Sequence, residues 1–251
     1  MPQNFIWYEL AAAHTPAAEK FYAAVVGWTM QQFEGSQQYT VLGAGDGNVG
    51  GIGAVPPEAW ASPGWSGYIG VDDVDAVATR VTKAGGSIVR APADIPGVGR
   101  FAVVADPQGV TFKLLRGSVP EAPPPEAFKA DTPGHIGWNE LHTTDWAGGF
   151  AFYAALFGWE KIQAMDMGAM GTYQIFGIGG TPLGGMMNSP NFPRPSWLFY
   201  FNVDDIDAAH RRIDANGGTL MHGPSEVPGG QWIVQAGDPQ GVMFAVVGPR
   251  K

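Results

Sequence analysis

Two glutamates stand in nearly identical contexts, Trp7-Tyr8-Glu9-Leu10 and Trp138-Asn139-Glu140-Leu141. Side chains alternate across an extended strand, so each glutamate shares a face with the tryptophan two residues before it. A carboxylate in an indole-lined hollow loses hydration, which raises its pKa and suits it to remove a proton next to a carbonyl. The structural alternative is an inward anchor satisfied by the backbone or an ion pair, because perturbed carboxylates also occur in such networks. His142 has the same parity as Trp138 and Glu140, and with Glu140 it makes either an acid/base pair or two ligands of an off-pattern metal site. A lone inward histidine is more often a hydrogen-bonded wall residue. His135, His210 and His222 give no evident third ligand, since His210 falls on a helix and His222 beside a Gly-Pro loop.

The apolar residues suggest what such a hollow would hold. Trp7 and Trp138 would line it. Met165, Met167, Met170, Met186 and Met187 cluster in the second half of the chain, near Phe192 and Trp197. Flexible thioethers form an adaptable lip over an apolar or aromatic molecule, which makes Met186, Met187 and Trp197 candidate ligand contacts. The structural alternative is ordinary packing between modules or across a homodimer. Gly43-Ala44-Gly45-Asp46-Gly47 with Gly50 and Gly51 invites a nucleotide-loop reading, but Pro56-Pro57 follows where a phosphate-binding helix would be needed. These glycines read as hairpin and bulge residues.

The elements that position these groups occur twice. Phe21-Tyr22-Ala23-Ala24 and Gly27-Trp28 return as Phe152-Tyr153-Ala154-Ala155 and Gly158-Trp159, at the same spacing of 131 that separates the two tryptophan motifs (138 − 7, 152 − 21, 159 − 28). Val71-Asp72-Asp73-Val74-Asp75-Ala76 matches Val203-Asp204-Asp205-Ile206-Asp207-Ala208, and Asp106-Pro107-Gln108-Gly109-Val110 matches Asp238-Pro239-Gln240-Gly241-Val242, both at a spacing of 132. The chain therefore divides into a first module, 1–117, a proline-rich linker, 118–134, and a second module, 135–251. Each module opens with a strand, Phe5 to Leu10 or Ile136 to Leu141. A helix follows, with Thr15 as N-cap and Pro16 as first helical residue in the first copy and Asp145 or Thr144 as cap in the second, closed by Gly27 or Gly158. Strands are predicted at Gln38 to Leu42 and Gly50 to Ala54, turned through Asp46-Gly47, and at Thr172 to Ile178 and Gly184 to Met187. A second helix starts at each Asp-Asp pair and buries Val74, Val77, Ala78 and Val81 in the first copy. A hairpin turned by Asp-Pro-Gln-Gly closes the module. The fold class is α+β, with a βαβββ order that leaves one sheet face open.

The 251 residues carry a net charge of −9, a pI near 4.9 and no basic cluster, which opposes binding to nucleic acid or an anionic membrane. The start of the chain lacks the basic and apolar blocks of a secretory signal, and no apolar run is long enough to cross a bilayer, so a cytoplasmic location is expected. The absence of cysteine excludes disulfides, thiolate metal sites and a cysteine nucleophile.

The ordered set of Trp-x-Glu-Leu, a Phe-Tyr helix ending in Gly-Trp, Val-Asp-Asp-Val-Asp and Asp-Pro-Gln-Gly, repeated over nearly the whole chain, resembles the vicinal-oxygen-chelate superfamily of glyoxalases, bleomycin-resistance proteins and extradiol dioxygenases. Its wording is similar to the tandem glyoxalase-like branch that includes a mycobacterial secreted-antigen group. The resemblance implies paired βαβββ modules forming a curved sheet or half-barrel around an internal cavity. It also implies that metal-using relatives draw ligands from first and last strands, which in this sequence are Trp7, Trp138, Lys113 and Ala245. None of these side chains offers a neutral imidazole or a carboxylate. No metal or other cofactor is expected at those positions, while an off-pattern divalent ion stays open. Lys113 places a positive charge at a ligand position, where it would bind a carboxylate or enolate oxygen or else neutralise a buried glutamate.

The expected function is binding of a small apolar or aromatic molecule between the modules. The alternative is a glyoxalase-like lyase or isomerase with Glu9 or Glu140 as base and Lys113 or His142 stabilising charge. An extradiol dioxygenase ranks third, since its two-histidine, one-carboxylate iron site falls on positions that this chain fills otherwise.

Overall fold

A computed structural model describes residues 3–34, 38–45, 47–57, 62–118, 125–190, 192 and 194–251. The expected turn residue Asp46 and residues 119–124 of the proline-rich linker lie outside the described residues.

The first module runs β1 (Phe5–Ala12), α1 (Thr15–Val26), β2 (Thr29–Gln32), β3 (Tyr39–Ala44), β4 (Gly47–Ala54), β5 (Gly64–Gly70), α2 (Val74–Lys83), β6 (Ser87–Ile95), β7 (Gly99–Ala105) and β8 (Thr111–Gly117). The second repeats this order as β9 (Ile136–Thr143), α3 (Trp146–Phe157), β10 (Glu160–Asp166), β11 (Thr172–Ile178), β12 (Thr181–Asn188), β13 (Ser196–Asn202), α4 (Ile206–Ala215), β14 (Thr219–Val227), β15 (Gln231–Gly237) and β16 (Met243–Gly248). The protein is α+β, and each module contains βαβββ twice in succession. Its strands form two mixed sheets, ordered β2-β3-β4-β1-β5-β8-β7-β6 and β10-β11-β12-β9-β13-β16-β15-β14. The strands that complete the second βαβββ copy escape a periodicity reading for physical reasons. β6 and β14 contain Pro92 and Pro224, bulge twice and bury no residue fully, so their faces do not alternate cleanly.

The helices end and begin largely as their sequences dictate. Gly27 and Gly158 take left-handed conformations with φ of 88° and 70°. Asp145 accepts a hydrogen bond from the Gly148 N–H at 3.0 Å, and Asp73 caps α2 in the same way through Ala76. The first cap differs from expectation. His14, not Thr15, is the N-cap of α1, its Nδ1 accepting from the Ala17 N–H at 3.2 Å.

The chain forms two compact units. In one, which includes Gly67–Pro124 and Asn139–Trp197, Tyr153 of α3 stands at the centre of an aromatic core. Its hydroxyl donates to Asp106 Oδ2 at 3.1 Å and accepts from Trp197 Nε1 at 3.2 Å. Burial pushes the Tyr153 hydroxyl well above its usual pKa, and the charge of Asp106 adds to the effect. Asp106 also holds its own turn by accepting from the Gln108 and Val110 N–H groups. The other unit, which includes Trp7–Ser66 and Leu198–Lys251, repeats the arrangement with Tyr22 of α1, Asp238 and Trp65. The Phe-Tyr helix of each module thus meets the Asp-Pro-Gln-Gly turn of the other.

Candidate functional site

In the unit that contains α3, β9 lies parallel to β12, with Glu140 beside Gly185 and His142 beside Met187. β11 lies on the other side of β12 and supplies Tyr173. A Cβ at position 185 would come within 2.1 Å of the Tyr173 ring. Glycine there lets the phenol lie across β12 and donate to Glu140 Oε2 at 2.7 Å. The other carboxylate oxygen, Oε1, lies 2.7 Å from His142 Nε2. Nε2 nevertheless makes no hydrogen bond of acceptable geometry, so this contact is one of proximity and not an aligned N–H···O bond. On the far side of the imidazole, Nδ1 lies 2.7 Å from Ser189 Oγ. The ring stacks on Phe192 with centroids 3.8 Å apart and planes 6° from parallel. The side chains of His142 and Glu140 are only 7% and 10% exposed, whereas Ser189 is half-buried.

The unit that contains α1 repeats part of this arrangement. Glu9 on β1 lies beside Gly51 on β4, and a Cβ at Gly51 would come within 2.2 Å of the Tyr39 hydroxyl. Tyr39 hydrogen-bonds Glu9 and accepts from Trp7 Nε1 at 2.9 Å. Burial raises the Tyr39 pKa and the Glu9 charge adds to it, while the Trp7 N–H opposes. His142 and Ser189 have no counterpart here: Ala11 and Val55 occupy their places, and the Val55 N–H reaches Ala12 O at 3.1 Å as the Ser189 N–H reaches Thr143 O at 2.9 Å.

The remaining candidates make the following contacts. Lys113 on β8 is buried, donates to Tyr68 Oη at 3.3 Å and lies 4.7 Å from the Tyr68 ring centroid. Trp138 and Ala245 come together in an apolar cluster with Leu198 and Tyr200, and Gln235 Nε2 donates to the Tyr200 hydroxyl at 2.7 Å. Met187 shares the His142 face by register, but Met186 lies beside Leu141 on the opposite face and is fully buried. Trp197 also faces the core, packed on Phe5, Tyr153 and Trp159. Of the other histidines, His135 is buried with Nδ1 2.9 Å from Glu126 O, and His210 pairs with Asp214 on α4. Tyr39, Tyr173 and Ser189 are site residues that the motifs of the sequence do not single out. The signal for the tyrosines was present, because Tyr39 precedes Gly51 by the same interval, twelve residues, as Tyr173 precedes Gly185.

Two modules of equal topology whose first strands both present Trp-x-Glu invite comparison with known proteins. The model of the glyoxalase/bleomycin resistance protein/dioxygenase superfamily matches residues 4–114 and 132–246. The chain belongs to this superfamily. It is 32% identical over 249 residues to the protein CFP32 of Mycobacterium tuberculosis, covering 97% of this chain and 94% of that one. It is 33% identical over 262 residues to the anthracycline biosynthesis protein DnrV of Streptomyces peucetius, covering 96% and 91%. Solved structures with the same fold include a Mn(II)-bound glyoxalase from Novosphingobium aromaticivorans, with a TM-score of 0.68 at 16% identity over 99% of this chain and 83% of that one. A homoprotocatechuate 2,3-dioxygenase variant from B. fuscum gives a TM-score of 0.70 at 15% identity over 99% and 71%.

The metal-ligand positions that the resemblance implies are filled by other side chains in this member. Trp7, Lys113, Trp138 and Ala245 offer no imidazole or carboxylate, and among the described residues no three His, Cys, Asp or Glu side chains gather to hold an ion. Among those residues no helix is long and apolar enough to cross a membrane.

Proposed function

We propose that the protein binds a small apolar or aromatic molecule on the sheet faces that carry Trp7 and Trp138, and that it does so without the superfamily's divalent ion. The observation that carries this reading is the way the two glutamates are held. Tyr39 engages Glu9, and Tyr173 and His142 engage both oxygens of Glu140. Carboxylates tied in this way act as anchors of a wall and not as free bases. The two half-buried indoles then supply apolar surface with a few oriented polar groups, the usual make-up of a ligand site. The relationship to DnrV, an anthracycline biosynthesis protein, supports an aromatic ligand.

The test is titration with planar aromatic probes, followed by tryptophan fluorescence, with metal analysis of protein purified without chelator. Binding is expected in metal-free protein, and Glu140→Gln should change affinity by no more than about tenfold. Stoichiometric metal, or saturable turnover of a ketone or hemithioacetal that Glu140→Gln abolishes while leaving binding intact, would instead establish the lyase or isomerase alternative.

A further inference from the structure

Ser189, His142 and Glu140 form a line of three groups that ligand binding by itself does not require. Ser189 Oγ lies 2.7 Å from His142 Nδ1, and His142 Nε2 lies 2.7 Å from Glu140 Oε1. Tyr173 holds the second carboxylate oxygen, so the carboxylate keeps its orientation toward the imidazole. The first module provides an internal control. It builds the same strand and the same backbone hydrogen bond with Ala11 and Val55 in these places, so the fold needs neither the imidazole nor the hydroxyl. A 6%-exposed histidine with an unaligned Nε2 is a cost to stability that the other copy avoids.

We propose that Ser189 is a nucleophile activated by His142 and Glu140, acting on small aryl esters presented beside Phe192 and Met187. The inference does not rest on the binding reading. The neutral imidazole carries its proton on Nε2, toward Glu140, and offers the Nδ1 lone pair to the Ser189 hydroxyl. As Oγ adds to the ester carbonyl carbon, its proton passes to Nδ1. The resulting imidazolium faces the Glu140 carboxylate, and the weakly aligned resting contact becomes an ion pair, in keeping with the loose catalytic geometry common before substrate binds. The ester C–O bond then breaks, the imidazolium returns the proton to the leaving phenoxide, and the acyl group remains on Ser189. Water adds to the acyl carbon with its proton taken by Nδ1, and that proton returns to Oγ as the carboxylic acid leaves. Ser189 is half-buried and stays in reach of a substrate. The Phe192 N–H donates to Ser189 O at 3.0 Å.

The experiment treats the full-length protein with a fluorophosphonate probe, maps the adduct by peptide mass, and measures the burst with p-nitrophenyl acetate. A single adduct at Ser189 is expected. It should vanish in Ser189→Ala, slow by roughly a hundredfold or more in His142→Ala, and persist in Ser87→Ala on exposed β6. His142→Ala recreates the alanine of the first module, so circular dichroism should show it folded. An unmodified Ser189 in folded protein, or labelling that His142→Ala does not slow, overturns the proposal. Titration of the same samples with aromatic probes reports separately whether the binding reading holds.

Discussion

The first strands of the two modules present the same tryptophan and glutamate, and the next strands answer both glutamates with a tyrosine laid over a glycine. Beyond these shared groups, His142 and Ser189 stand in the second module where the first has Ala11 and Val55. The shared parts, Glu9–Tyr39–Gly51 and Glu140–Tyr173–Gly185, hold the sheet face in shape. The unshared parts add a titratable and nucleophilic pair that the backbone does not need. Duplication lets a single chain show which polar groups are structural and which are additions.

The sharpest way to break this comparison is to fill the two glycines. Gly185→Ala and Gly51→Ala should each destabilise by about 3 kcal/mol, because the added methyl meets a tyrosine ring pinned by its hydroxyl and flanking strands. Urea melts measure the loss, and tyrosine-to-leucine second substitutions should recover part of it. Similar penalties in both modules support a common structural role. A cost in one module alone would show that the tyrosine–glutamate pairs are not equivalent.

A second comparison tests the aromatic cores. Tyr153→Phe and Tyr22→Phe each leave a buried aspartate and a tryptophan N–H without their phenol partner and should cost about 2 kcal/mol at neutral pH. Burial raises the pKa of Asp106, against the lowering effects of the Val110 N–H and the Tyr153 hydroxyl. Asp238 is raised by burial in the same way. A carboxyl whose folded pKa is raised contributes stability that is fully present below the unfolded pKa and is lost as pH rises through the folded value. Removing the phenol raises the folded value further, so the penalty of each substitution should grow from about pH 4 to neutrality. Thermal melts across that range check the sign, and a constant penalty would assign the loss to packing alone.

The helix caps offer the smallest contrast. Asp145→Ala should cost about 1 kcal/mol, and His14→Ala in the first module less, because an imidazole nitrogen at 3.2 Å is the weaker acceptor. Equal losses in thermal melts would remove that distinction between α1 and α3.

Much of the fold is legible along the chain because its signals are local. The glycine caps, the Asp73 cap, the buried stripe of α2 and the Asp-Pro-Gln-Gly turn each depend on residues within one or two turns of chain. The parity of Trp7, Glu9, Trp138, Glu140 and His142 is equally local, since a strand alternates whatever lies beside it. Trp197 and Met186 read as ligand contacts because composition does not say which face of a strand meets the helices. Trp197 bonds Tyr153, and Met186 lies beside Leu141, in the core.

The sequence by itself determined that the chain is duplicated and that its modules are α+β. Only the tertiary structure decided that Tyr173 closes on Glu140, that Ser189 reaches His142 from 47 residues away, and that each Phe-Tyr helix takes its aspartate from the other module. Those partners are selected by strand register and by the packing of distant segments, and neither is encoded in the spacing of residues along one stretch of chain.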